Sequence, residues 1–145
     1  MEPSHAHSDP RFSLTNAAAR KLLERYKIVA VVGLSTNPGK PGHFVPKYLQ
    51  ENGYTIIPVN PMAKEDILGE KVYASLKEIP GPVEIVEIFR HSADVPPIVE
   101  EAIKVGARVV WMQEGIVNNQ AARRAREAGL EVVMDRCMMK IHKGG

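Results

Sequence analysis

Five short apolar runs recur along this chain: Ile28-Val29-Ala30-Val31-Val32-Gly33-Leu34, Tyr54-Thr55-Ile56-Ile57-Pro58-Val59-Asn60, Val83-Glu84-Ile85-Val86-Glu87-Ile88-Phe89, Val109-Val110-Trp111-Met112-Gln113 and Glu131-Val132-Val133-Met134-Asp135. They are rich in β-branched residues and largely apolar at successive positions, so each strand needs cover on both faces. Strands of that kind belong to parallel sheets clad by helices. The intervening segments supply them. Gly42 to Asn52 ends at Gly53, Asp94 to Val105 ends at Gly106, and Asn118 to Ala128 opens with an Asn cap and ends at Gly129. A glycine-closed helix leading directly into a strand, three times over, is a repeated β-α-β signal. Ser13 or Thr15 can cap a further helix through Lys21–Arg25, and Ile67 to Tyr73 reads as a small extended excursion with a turn at Ser75–Lys77. The expected fold is α/β, doubly wound and Rossmann-like: a mostly parallel sheet of about five strands, order 3-2-1-4-5, helices on both faces.

The remaining bounds come from composition. A chain of 145 residues, 44% hydrophobic and 25% charged, suits one globular domain. Residues 1–12 read as a flexible tail and residues 13–145 as the single domain. His5 and His7 in that tail form an H-x-H pair, a metal site or merely a solvated segment. No apolar run is long enough to span a bilayer, and Met1-Glu2-Pro3-Ser4 begins no signal peptide. The single cysteine, Cys137, makes a reducing, cytoplasmic setting the expectation. A net charge of +2 announces neither nucleic acid nor membrane as a partner.

In an open α/β sheet, ligands bind beyond the carboxyl ends of the strands. The loop after the first run, Gly33-Leu34-Ser35-Thr36-Asn37-Pro38-Gly39-Lys40-Pro41-Gly42-His43, opens a helix where backbone N–H groups can hold phosphates. Gly33 allows close approach, Ser35, Thr36 and Asn37 bring polar donors, and Lys40 brings a cation. The spacing is neither G-x-G-x-x-G nor a Walker motif, so a ligand-free Gly/Pro connection is the alternative. The second loop has Asn60, Pro61 and Lys64 where a carboxylate would hold the ribose of NAD, which favours a phosphorylated ribose instead. Lys64 alone reads equally as a solvated charge. In the third loop Phe89 can stack on a ring, Arg90 can bind phosphate, and His91 has no evident partner. In the fourth, Gln113 can line the groove. Cys137 is either a reactive thiol on the rim or a small buried hydrophobe, and Arg136 either lowers its pKa or pairs with Asp135. Arg123, Arg124 and Arg126 read as a solvated basic face balanced by Glu127.

No catalytic set assembles: there is no G-x-S-x-G elbow, no metal-ligand spacing and no facing pair of carboxylates. The segments Val32-Gly33-Leu34-Ser35, Lys40-Pro41, Gly53-Tyr54, Pro58-Val59-Asn60-Pro61, Leu68-Gly69, Tyr73, Ile88-Phe89-Arg90, Val110-Trp111-Met112-Gln113 and Asp135-Arg136-Cys137 together resemble the small stand-alone CoA-binding domain proteins. That family is related to the N-terminal domain of the succinyl-CoA synthetase α subunit. The resemblance implies that coenzyme A binds by its 3′-phospho-ADP end. Gly33, Leu34, Ser35, Thr36, Asn37, Lys40 and Pro41 then lie at the phosphates, and Asn60, Pro61 and Lys64 near the adenosine and its 3′-phosphate. Phe89 and Arg90 line the adenine or pantetheine side. The synthetase reaction needs a phosphohistidine domain and a partner subunit for which this length leaves no room. The expectation is therefore a non-catalytic carrier, sensor or regulator of CoA or acyl-CoA, with Cys137 a candidate for a mixed disulfide with the CoA thiol. An NAD(P)-binding redox sensor or enzyme, or a scaffold subunit with a vestigial pocket, are the alternatives. The edges of the sheet make a homodimer an expectation too.

Overall fold

The computed structural model describes residues 7–144. The five runs form five parallel strands, β1 (Ile28–Val32), β2 (Thr55–Val59), β3 (Ile85–Ile88), β4 (Val109–Met112) and β5 (Glu131–Val133). Helix α1 (Asn16–Arg25) precedes them, α2 (Pro41–Glu51), α3 (Val95–Lys104) and α4 (Asn119–Glu127) alternate with them, and α5 (Met138–His142) follows. Every residue of β3 and β4 is buried, as covered faces require. The caps are local: Thr15 accepts from the Ala18 amide and Asn118 from the Ala121 amide.

The sheet is doubly wound and parallel as expected, but its order is β2-β1-β3-β4-β5, which corrects 3-2-1-4-5. The excursion between β2 and β3 explains the difference. Tyr73 bridges to Val59 in parallel, donating to the Pro58 carbonyl at 3.0 Å and accepting from the Asn60 amide at 2.9 Å. The outer edge of β2 is thus filled at its carboxyl end by a single bridging residue. The next full strand crosses back and takes the free edge of β1.

Two apolar layers sandwich the sheet. Helices α3 and α4 cover one face around Val86, Ile88, Val110 and Met112, while α1, α2 and α5 cover the other around Val31, Ile85 and Trp111. Because α2 and α3 leave the adjacent strands β1 and β3 for opposite faces, a crevice opens between their starts.

Three local findings depart from the sequence reading. Residues 7–12, expected to belong to the tail, are docked: Asn119 accepts from the Asp9 amide at 2.8 Å and donates to the His7 carbonyl at 3.1 Å, and Phe12 packs on the α3–α4 layer. His5 lies outside the described residues, and no cluster of metal ligands occurs among those described. The final helix α5 has no counterpart among the elements expected from sequence. It is anchored by buried Met138 and Ile141 and by a 2.6 Å hydrogen bond between Tyr48 and His142. The free edge of β5 is partly closed, since Leu14 donates to the Val132 carbonyl and Ser13 accepts from the Met134 amide.

Glu87, in the middle of β3, is wholly buried, and neither carboxylate oxygen has a hydrogen-bond partner among the described residues. Loss of hydration pushes its carboxyl up to about 8 from an ordinary 4.5. The native state therefore keeps a proton that the unfolded chain releases between those two values. Stability from this group is complete below pH 4.5 and falls by about 1.4 kcal/mol per pH unit as pH rises to about 8. Glu87→Gln should flatten that decline, measured by urea denaturation across the same interval. A wild-type slope that survives in the variant would refute the assignment.

Candidate functional site

The crevice is floored by one row of residues. Gly33 donates to the Val59 carbonyl at 2.9 Å, Phe89 to the Val32 carbonyl at 2.9 Å, and Gln113 to the Ile88 carbonyl at 3.2 Å, each extending a strand by one residue. Above them lies a cleft of about 530 Å³ whose walls are Ser35, Thr36, Lys40, Pro41 and Gly42 on one side and Arg90, Glu114 and Ile116 on the other. A second, more apolar cleft of about 280 Å³ lies beyond Arg90, between Pro61, Ala74 and Leu76 and the side chains of Pro97 and Ile98. Arg90 lines both.

The first wall is built by hydrogen bonds within its own loop. Ser35 Oγ accepts from the Asn37 amide at 3.0 Å and Asn37 Oδ1 from the Gly39 amide at 2.9 Å. The Ser35 amide donates to the Gly42 carbonyl, and His43 Nδ1 donates to the Ser35 carbonyl at 2.7 Å. This leaves the amides of Thr36 and Gly42 without an acceptor among the described residues. Gly42 is in the first turn of α2, where Lys40 is an N-cap that offers no side-chain acceptor. An open amide in the first turn of a helix, with a second in the loop before it and a lysine beside them, is an arrangement to which an anion is attracted.

Gly33 is fixed by sterics. Its φ is +91°, and a Cβ there would stand 2.9 Å from the Phe89 carbonyl oxygen and 3.1 Å from Arg90 Cδ. The β1 and β3 loops can therefore approach only through a glycine. The charge of the cleft is local. Lys40 and Arg90 face it, Arg90 reaching Asp94 at 3.4 Å, while Glu114 is held by Lys140 of α5 at 3.0 Å. That pairing raises the Lys140 ammonium above its usual range.

Of the residues singled out from sequence, Gly33, Ser35, Thr36, Lys40, Pro41, Asn60, Phe89, Arg90 and Gln113 all line the main cleft. Asn60 has both ends of its amide engaged, donating to the Leu34 carbonyl at 3.1 Å and accepting from the Met62 amide at 2.9 Å, so it staples two loops together. Leu34 is wholly buried and Asn37 serves the loop's own turn. Pro61 belongs to the second cleft. Lys64 is exposed on the turn after β2, and the exposed His91 lines neither cleft. Cys137 is buried against α1 and α2, away from the cleft lining, in the position of a small hydrophobe. Arg136 neither approaches that thiol nor pairs with Asp135: it bonds Asn16 Oδ1 at 2.6 Å and the Met134 carbonyl, while its own carbonyl accepts from Trp111 Nε1. Arg123, Arg124 and Arg126 pair with Glu127, Glu100 and Glu131. Gly42, Glu114 and Ile116 of the main cleft, and all of the second cleft except Pro61 and Arg90, are not among the candidates the sequence offers, because no local motif marks residues gathered by a crossover.

A CoA-binding domain family model matches residues 27–143. An uncharacterized protein of Bacillus subtilis is 44% identical over 128 residues, covering 88% of this chain and 94% of its own. The α subunit of an ADP-forming acetate–CoA ligase of Pyrococcus furiosus is 37% identical over 122 residues. The match spans 74% of this chain but only 26% of that subunit. Among solved structures, a hypothetical protein of Pyrococcus horikoshii superposes with a TM-score of 0.87 at 42% identity, covering 96% of this chain and 97% of that one.

Gly33→Ala should cost roughly 1–3 kcal/mol in urea denaturation, from the strained φ and the contact with the Phe89 carbonyl. An unchanged midpoint would show that the two loops are not held in contact.

Proposed function

Because the chain belongs to the CoA-binding domain family, we propose that its cleft holds coenzyme A or an acyl-CoA by the 3′-phospho-ADP end, and that the protein carries, senses or regulates with that ligand rather than transforming it. The observation that carries this reading is the pair of open amides, Thr36 and Gly42, beside Lys40 at the start of α2. A diphosphate can accept from both while Lys40 and Arg90 neutralise it. The second cleft suits the adenine, with apolar walls at Pro61, Pro97 and Ile98 and oxygen acceptors on Ser75 and Glu101 for an exocyclic amine. Lys64, exposed on the turn after β2 and free of ion pairs among the described residues, is the candidate for the 3′-phosphate. Phe89 and Gln113 remain for the pantetheine arm.

The carboxylate lining the cleft, Glu114, is tied to Lys140. The match spans only 26% of the ligase subunit, so that subunit's activity is not carried over to this chain. A dinucleotide such as NAD fits less well, because the loop after β2 carries Asn60, already engaged at both ends, where such sites place a carboxylate for the ribose diol.

In thermal melts of dialysed protein, CoA should raise the midpoint, 3′-dephospho-CoA should raise it less, and NADH should leave it unchanged. Equal shifts from the first two would remove the role of Lys64, and no shift from either would refute the reading. Lys40→Ala should weaken CoA binding by about tenfold in calorimetry with little change in stability. Undiminished affinity would put the phosphates elsewhere.

A further inference from the structure

Glu87 has a place in the sheet that bears on the cleft. Strand register sets Val31, Glu87 and Trp111 side by side on β1, β3 and β4. Side chains return to the same face every second residue, so the next row on that face is Gly33, Phe89 and Gln113, the floor of the cleft. The carboxyl-bearing residue thus lies one row, about 7 Å along the strand, beneath the floor of the cleft.

Nothing nearby compensates a charge there. The helices closing over this face contribute apolar side chains: Leu22 and Leu23 from α1, Val45 and Leu49 from α2, Met138 and Ile141 from α5. The ionisable groups of this layer are the Cys137 thiol and the hydroxyls of Tyr26, Tyr48 and Tyr54, the last donating to the Leu23 carbonyl at 2.6 Å. Around its margin stand His142 of α5, edge-on to Tyr48 and Tyr54, Arg20 of α1 on the Ile141 carbonyl and Lys27 on the Tyr54 hydroxyl, and none of them bonds Glu87. The neighbouring segments of β1 and β4 have no titratable side chain. The cations Lys40 and Arg90 are exposed on the rim. A carboxylate at Glu87 and an anion in the cleft would therefore repel across a poorly screened gap.

We propose that Glu87 is a proton-binding group coupled to the cleft: the anionic ligand is held more tightly when the Glu87 carboxyl carries its proton, and loss of that proton weakens its hold. The inference rests on the CoA reading above. The step is a proton transfer alone, in which the carboxylate takes one proton from solvent as the anion enters and returns it as the anion leaves. Burial by itself pushes this carboxyl up to about 8, so the coupling acts in mildly alkaline solution.

Calorimetric titration with CoA, and with adenosine 3′,5′-bisphosphate, which lacks the thiol, tests this. Between about pH 7 and about pH 9 the wild-type affinity should fall about tenfold for both ligands. Near pH 8, paired buffers of different ionisation enthalpy should report proton uptake on binding. Glu87→Gln should abolish both effects and Cys137→Ala should keep both. The wild-type proton uptake is decisive even where Glu87→Gln folds poorly. A flat wild-type profile, no proton uptake, or a profile carried by Cys137 would overturn the coupling while leaving CoA binding intact. Failure of either ligand to bind at about pH 6.5, where the carboxyl is protonated, would overturn the CoA reading itself.

Discussion

The close seam between the ends of β1 and β3 is the constraint on which the rest depends. Gly33 stands against the Phe89 carbonyl with no space for a Cβ, and from that point the two chains diverge to opposite faces of the sheet. Divergence opens the cleft, and contact at its root fixes its width. The loop into α2 then spends side-chain oxygens of Ser35 and Asn37 on its own turns, while the Thr36 and Gly42 amides, from residues that line the cleft, have no acceptor among the described residues. A site made of backbone donors is insensitive to side-chain identity. Under the proposed reading, such a loop can receive phosphates with neither a G-x-G-x-x-G nor a Walker spacing.

Much of this was legible because it follows from periodicity. The apolar runs were long enough to demand cover on both faces, and Gly53, Gly106 and Gly129 closed helices where expected. What the sequence hid is non-local. Tyr73 fills an edge with one bridging residue, too little to read as a strand, and so the expected order failed. The engagement of Asn60 by Leu34 and Met62 spans two loops, and the withdrawal of Cys137 behind the floor depends on α5, whose five residues carry no strong pattern. Glu87 was hidden differently. In the run Val83 to Phe89 it looks like one more polar interruption, yet β3 is central and neither face is free.

Charge is similarly local. A net +2 spread over the chain says little, but the cleft gathers Lys40 and Arg90 while Lys140 ties down Glu114. Beneath these cations, Glu87 sits in a place that water and counter-charges do not reach, and a buried unpaired acid is costly. Its position under the floor gives that cost a consequence for the ligand.

The central claim is that the open amides of Thr36, in the loop before α2, and Gly42, in its first turn, receive the phosphates. Titrating the ¹⁵N-labelled protein with CoA tests it most directly. The account predicts that the largest amide shifts fall on Thr36 and Gly42, with Gly33 and Phe89 following. Shifts confined to residues away from that loop, or a spectrum unchanged at saturating CoA, would contradict it.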